Sequence, residues 1–286
     1  GKKSSRAIAL VPTRSGEAVL QDATGHWWRV YDFIEGAHTV DQVTTEQQAR
    51  EAARAFGEFQ SQLADIPGGR LHETIVNFHH TRSRFEDLRA SIAADRCNRA
   101  AEVREEIAFS LAREADTDVL VGLLARGEVP ERVTHNDTKI NNVMLDDVTG
   151  RGVAVIDLDT VMPGLSLYDF GDMVRTSTSS TAEDDPDPSR MHLQLPLFRA
   201  VVEGYWAAAG GVLNAAERAH LAFSGKLMTF EVGIRFLTDH LQGDTYYKIK
   251  YPGHNLVRAR TQFALVRSIE QQETAMERVV AEIAGG

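Results

Sequence analysis

The stretch Thr134-His135-Asn136-Asp137-Thr138-Lys139-Ile140-Asn141-Asn142 sets a histidine, an aspartate two residues on and an asparagine five further along, leading into the apolar Val143-Met144-Leu145. These residue types at this spacing suit transfer of a phosphoryl group. One carboxylate accepts or orients the proton of an attacking hydroxyl, and a neutral oxygen donor helps hold Mg²⁺ on a nucleotide. A second carboxylate must bridge the metal to the phosphates. Asp157 offers one, directly after the apolar Val153-Ala154-Val155-Ile156. The turn from Val148 to Gly152 brings the second strand back antiparallel, so Asn142 and Asp157 are expected side by side at the open end of a hairpin. The bland alternative is a solvated loop rich in Asp and Asn, which does not account for the spacing or for the strands on either side.

A second acidic cluster competes for the metal. Asp169-Phe170-Gly171 is the triplet familiar from protein kinases, and Asp172 follows it. Asp137 and Asp157 are 20 residues apart, room for one hairpin, whereas Asp137 and Asp169 are 32 apart and would need an extra element between them. Asp157 also ends an apolar run and Asp169 does not. Asp157 is therefore the expected metal ligand. Asp169 or Asp172 is expected at a helix or turn start, bonding backbone amides. Asp159 stays open between a second metal ligand and a substrate contact.

The elements that must position these groups follow from periodicity. Short β-prone runs from Ala7 to Ile34, broken at Thr13–Gly16 and Asp22–Gly25, predict an antiparallel meander. Thr45 with Gln48 forms a capping-box pattern, and Ala49, Ala52, Ala53, Phe56, Phe59 and Leu63 share one helical face. Further helices are predicted near 83–94, 98–115, 119–126, 190–209, 215–241 and 254–283. The acidic, proline-containing 176–189 stretch reads as a mobile loop. A small strand-rich start before a long helical body is an α+β arrangement.

Composition narrows the partners. A net charge of −10 argues against non-specific binding to nucleic acid or an anionic membrane. No apolar run approaches the ~20 residues of a membrane span. Cys97 is the single cysteine, which excludes an internal disulfide framework and suits a reducing, cytoplasmic setting.

With those residues in place, the chain resembles the aminoglycoside phosphotransferase and choline kinase group of kinase-like enzymes, and within it the N-acetylhexosamine 1-kinases. The resemblance rests on His135–Asn142, Ile156–Gly164, Tyr168–Asp172, Tyr31-Asp32-Phe33-Ile34-Glu35-Gly36, Arg235-Phe236-Leu237-Thr238-Asp239 and Tyr251–Phe263. It implies a protein-kinase-like fold, with 1–36 as part of a β-rich N-terminal nucleotide lobe and hinge and 37–286 as a large helical C-terminal lobe. It further implies ATP and Mg²⁺ as cofactors and a small-molecule acceptor. Asp137 matches the catalytic base, Asn142 and Asp157 the metal ligands, and Tyr31, Asp32, Phe33 and Ile34 the hinge that receives adenine. His135 reads as a structural brace.

Substrate contacts are expected from Asn136, Arg235, Asp239, Tyr247, His254 and Arg258, with Tyr246 beside them. Planar polar groups and an aromatic face suit a sugar. A polycationic aminoglycoside would call for many carboxylates, and choline for an aromatic box; neither pattern is evident. The Gly-rich loop and strand lysine that the resemblance also implies are not found ahead of Ala7, and Lys2 and Lys3 sit in a polar tail. That leaves two expectations: a fragment of a longer kinase, or a degenerate nucleotide- or sugar-binding protein without catalysis. Intact Asp137, Asn142 and Asp157 favour the fragment.

Overall fold

The structure, a computed structural model, describes residues 8–285. Ala7, Lys2 and Lys3 lie outside the described residues. The chain opens with four short strands, β1 (Leu10–Val11), β2 (Leu20–Gln21), β3 (Trp27–Trp28) and β4 (Val30–Tyr31). Strand β1 pairs with β4 and β2 with β3, both antiparallel. The expected meander is thus a nested arrangement, with one hairpin inside the other. The inner turn is closed by Asp22, whose carboxylate accepts from the Thr24 and His26 amides at 2.8 and 3.0 Å. That turn fixes the β2–β3 register.

After Gly36, β5 (Ala37–His38) leads into helix α1 (Glu46–Gln62). The Thr45 side chain caps the Gln48 amide, as the sequence predicts. The return bond lands one residue upstream, where the Gln48 side-chain oxygen accepts from the Thr44 amide at 2.8 Å. Helices α2 (Thr81–Ala94), α3 (Arg104–Leu111) and α4 (Val119–Ala125) follow. The helix expected over 98–115 is interrupted by 3-10 turns at Ala100–Glu102 and Glu114–Asp118. Asp95 and Asn98 adopt positive φ, and the Asp95 carboxylate takes the Arg99 and Ala100 amides that a continuous helix would have used internally.

The middle of the chain holds β6 (Arg132–Thr134), β7 (Val143–Asp146), β8 (Gly152–Val155) and β9 (Met162–Gly164). β7 and β8 form the expected antiparallel hairpin, with Val143 opposite Val155, and β5 lines its other edge. β6 pairs with β9. The remainder is helical: α5 (Ser166–Ser177), α6 (Leu195–Ala209), α7 (Ala215–Ala219), α8 (Leu221–Gln242) and α9 (His254–Ala284). Helix α6 starts at Leu195 rather than near Arg190, with Pro196 in its first turn, where a missing N–H costs nothing. The expected 215–241 helix divides at His220.

Two packed clusters hold this body together. One joins Phe56 of α1, Phe170 of α5 and Phe198 and Tyr205 of α6. The other joins Phe85 and Leu88 of α2, Phe230 and Leu237 of α8 and Phe263 of α9. Helices α1 and α6 meet backbone to backbone, since a Cβ on Gly204 would fall 2.1 Å from the Arg50 carbonyl oxygen. The 176–189 segment is a loop, as expected, but a tethered one. Glu183 pairs with Arg175 at 2.7 Å, Asp184 with Lys250 at 2.7 Å, and Asp185 with Arg190 at 3.1 Å. Its acidity is matched by facing cations rather than left to solvent. Among the described residues no helix is long and apolar enough to cross a membrane.

Candidate active site

The loop between β6 and β7 carries Asp137 at the mouth of the β7–β8 hairpin, and each of its backbone turns has an identifiable anchor. The Asn142 side-chain Nδ2 donates to the Asp137 carbonyl at 2.8 Å and to Asp137 Oδ2 at 3.1 Å. Lys139 Nζ lies 2.7 Å from the other carboxylate oxygen, Oδ1. Both oxygens are therefore oriented. Each still has a lone-pair direction with which to accept a proton from an incoming hydroxyl.

Asn142 and Asp157 are neighbours across the hairpin, because the Ile156 amide donates to the Asn142 carbonyl at 2.9 Å. With both Nδ2 contacts of Asn142 directed at Asp137, its Oδ1 is the oxygen left for a cation. Asp157 ends the hairpin in the left-handed region, φ 59°, and is exposed. Its carboxylate has no hydrogen bond or ion pair among the described residues. A carboxamide oxygen and a free carboxylate are hard donors. Two protein oxygens are what Mg²⁺ takes when phosphates and water complete its octahedron. The donor set thus fits the metal that the sequence implies, although no group of three or more His, Cys, Asp or Glu residues forms a self-sufficient metal cage among the described residues.

Behind the loop stands α5, and the Asp-Phe-Gly triplet lies in its first two turns. Asp169 Oδ2 accepts from the His135 amide at 2.9 Å and Oδ1 from the Asn136 amide at 2.7 Å. One turn later Asp172 accepts the Thr138 amide at 2.9 Å and pairs with Arg175 at 2.8 Å. Phe170 is fully buried against Tyr205 and Phe198. Gly171 lets α5 touch α8, since a Cβ there would fall 2.3 Å from the Ser224 carbonyl oxygen. The triplet is scaffold, each residue for a different reason. Burial raises the Asp169 carboxyl to about 6. Burial pushes Asp172 the same way, but Arg175 and Lys139 outweigh it and hold that carboxyl below its ordinary range.

His135 braces the loop. Its Nε2 meets the Ile156 carbonyl at 3.0 Å, Phe56 and Phe59 pack edge-on against its ring, and Nδ1 is buried without a partner. Asn136, predicted to touch substrate, is buried at φ 62° with its side chain bonded to Thr134 and to the Thr160 carbonyl at 3.0 Å. Its geometry is that of a turn former. Asp159 pairs with Arg29, tying the opening strands to the loop after β8.

The residues expected to form a hinge, Tyr31 to Ile34, sit at the end of β4. The Asp32 amide donates to the Ala9 carbonyl at 2.9 Å, and Phe33 is 85% exposed. Among the described residues no backbone–backbone bond engages Phe33 or Ile34, whose amides and carbonyls are what an adenine edge would need. The Arg29 guanidinium lies over the Tyr31 ring.

The remaining predicted substrate residues fall into two groups. Arg235, Asp239 and Tyr247 line a cavity of about 240 Å³ with Tyr246. Arg235 stacks on Phe78 and Tyr247, and burial pushes the Tyr247 phenol up to about 12. Asp239 is occupied within the fold: it accepts the Thr245, Tyr246 and Tyr247 amides and the Asn255 side chain. His254 is buried, with Nε2 3.1 Å from Asp184, and Arg258 faces Glu183 at 3.7 Å. These last two hold the tethered loop. A second cavity, about 390 Å³, escaped the sequence reading. It adjoins Lys139–Asn141 and is lined by Thr176, Ser180, Thr181, Gln194 and Gln262. No local pattern marks it, because its walls come from segments far apart in the chain.

A family model, described as the phosphotransferase enzyme family, matches residues 7–219. Among solved structures, a microcompartment-associated aminopropanol kinase aligns at 18% identity and TM-score 0.60, covering 95% of this chain and 77% of that one. An aminoglycoside phosphotransferase from Alicyclobacillus acidocaldarius aligns at 15% identity and TM-score 0.55, covering 94% and 78%. At these identities the likeness is one of fold.

Proposed function

The chain belongs to the phosphotransferase enzyme family, and we propose that it serves an ATP- and Mg²⁺-dependent kinase acting on the anomeric hydroxyl of an N-acetylhexosamine. The observation that carries this reading is the mouth of the β7–β8 hairpin. There Asp137 is oriented by Lys139 and Asn142, and Asp157 stands across from Asn142 with an uncommitted carboxylate. In the reaction, the acceptor oxygen forms a bond to the γ-phosphorus, the bond from that phosphorus to the β-γ bridging oxygen breaks, and the hydroxyl proton passes to Asp137. The products are a sugar 1-phosphate and ADP. Asn142 and Asp157 would hold the Mg²⁺, which when bound neutralises phosphate charge. Lys139, 2.7 Å from Asp137, adds a fixed positive charge beside the reacting oxygens. Phe33 and Ile34 would receive adenine.

A neutral, hydroxyl-rich acceptor suits the cavities better than a cation does. The larger one presents mainly hydroxyls and carboxamides; of its two carboxylates, Glu183 is paired with Arg175, and Asp41 shares the walls with the cationic Lys139. In the smaller one the guanidinium of Arg235 already covers the rings of Phe78 and Tyr247, so a quaternary ammonium would meet a like charge. The anomeric hydroxyl is more acidic than an ordinary alcohol, which eases proton transfer to a carboxylate. A panel of N-acetylhexosamines, hexoses, aminoglycosides and amino alcohols, scored by ADP release, tests the assignment. The expected product shows phosphorus coupled to the anomeric proton by NMR. Turnover confined to amines would contradict the sugar assignment, and ligand binding without turnover would leave a binding protein.

A further inference from the structure

The carbonyl side of the Asn136–Asp137 peptide is held by a group that neither the base nor the metal accounts for. His79 precedes α2, is buried, and places Nε2 3.1 Å from the Asn136 carbonyl oxygen and Nδ1 2.8 Å from Glu231 Oε1. Glu231, on α8, is wholly inaccessible, and its second oxygen has no partner. A carbonyl oxygen can only accept, so Nε2 carries a proton. The contact at Nδ1 then needs a second proton, on the ring or on the carboxyl. Arg235, 3.4 Å from Glu231 Oε1, and Arg84 of α2 both favour a carboxylate there. From α5, the neutral Tyr168 ring lies 5.7 Å from His79, and Asp169 and Asp172 add negative charge nearby. The Glu231 carboxylate and the two aspartates thus favour placing that proton on the ring, while the arginines act by stabilising the Glu231 carboxylate.

We propose that His79 is held as an imidazolium by Glu231, and that this buried ion pair is a positioning device that locks the carbonyl of Asn136 and thereby aims Asp137. The location explains why such a costly pair is kept. Asn136 sits at φ 62°, in the left-handed region that asparagine tolerates better than most L-residues and that contacts on both sides of it can fix. Asp169 fixes its amide from one side and His79 its carbonyl from the other. Loss of either clamp frees the peptide that leads into the base. His79 touches no reacting atom in this account, and its effect passes through Asn136.

The role in aiming Asp137 rests on the phosphotransferase reading; the charge state does not. In the full chain at pH 7, ¹H–¹⁵N correlation of the ring nitrogens should show a directly bonded proton on both Nδ1 and Nε2 of His79. A single ring N–H would overturn the proposal. His79→Gln and Glu231→Gln, assayed where circular dichroism shows them folded, should lose roughly 10- to 100-fold in kcat, the scale of a small misplacement, while KM for ATP holds. Wild-type kcat in folded His79→Gln would equally overturn it. If no acceptor supports turnover even in the wild type, amide hydrogen exchange decides. Lost protection at the Asn136 and Thr138 amides, which Asp169 and Asp172 hold, in Glu231→Gln supports the clamp, and unchanged protection removes it.

Discussion

Asp157 and Asp169 are the same residue type a dozen positions apart, and the fold gives them opposite surroundings. Asp157 follows a strand, exposed, its carboxylate without a partner among the described residues. Asp169 lies in the first turn of a helix, 2% exposed, with both oxygens committed to backbone amides of the loop that carries Asp137. A carboxylate with no protein partner can bind a ligand, and one bonded to buried N–H groups can hold a shape. The contrast separates a carboxylate open to a ligand from one committed to holding the loop, although the committed residue lies in the more familiar triplet.

That contrast can be broken by substitution, and of the two aspartates Asp157 is expected to have the larger effect on turnover. Asp157→Asn should lower turnover roughly 10²- to 10³-fold, the scale seen when one stabilising group is removed from a charged transition state, and should raise the Mg²⁺ concentration needed. Its denaturation midpoint should stay near wild type. Asp169→Ala should do the reverse on the folding side. It strands two buried amides and should cost about 2–4 kcal/mol in chemical denaturation. Equal destabilisation by the two changes would erase the distinction.

A smaller effect comes from pH. Burial raises the Asp169 carboxyl to about 6 in the folded state, above its unfolded value near 3.8. Folding therefore favours the protonated form. Its contribution is complete below the unfolded pKa and is lost as pH rises through about 6. The stability of wild type relative to Asp169→Asn should accordingly grow by about 1 kcal/mol between pH 7 and pH 5. Asp172, held low chiefly by Arg175, acts in the opposite sense, losing its contribution only as pH falls through its depressed value, outside that window. Smallest of all is the exposed pair of Asp159 with Arg29. Asp159→Asn should shift stability by no more than about 0.5 kcal/mol.

The sequence showed the local parts of this molecule more clearly than the distant ones. The β7–β8 hairpin and the cap at Thr45 were legible because each depends on residues near in the chain. Amide bonding by Asp169 or Asp172 was expected too, but at the start of their own helix or turn; the amides they take lie 33 and 34 residues upstream, in the loop that carries Asp137. The nested opening strands were not, since short alternating runs do not say which neighbour each will choose. Asn136 and Asp239 read as substrate contacts because their side chains are polar. In the fold those side chains are engaged internally, Asn136 with Thr134 and the Thr160 carbonyl, Asp239 with the 245–247 amides and the Asn255 side chain. His79 and Glu231 carry no sequence signal, because a buried pair separated by 152 residues leaves no pattern in either segment.

The most direct test of the central claim is Asp137→Asn in the full protein, with ADP release and nucleotide binding measured on the same preparation. A general base should be worth roughly 10²- to 10⁴-fold in turnover. The account predicts a loss of that size with ATP affinity and folding intact; turnover unchanged by the substitution would contradict it.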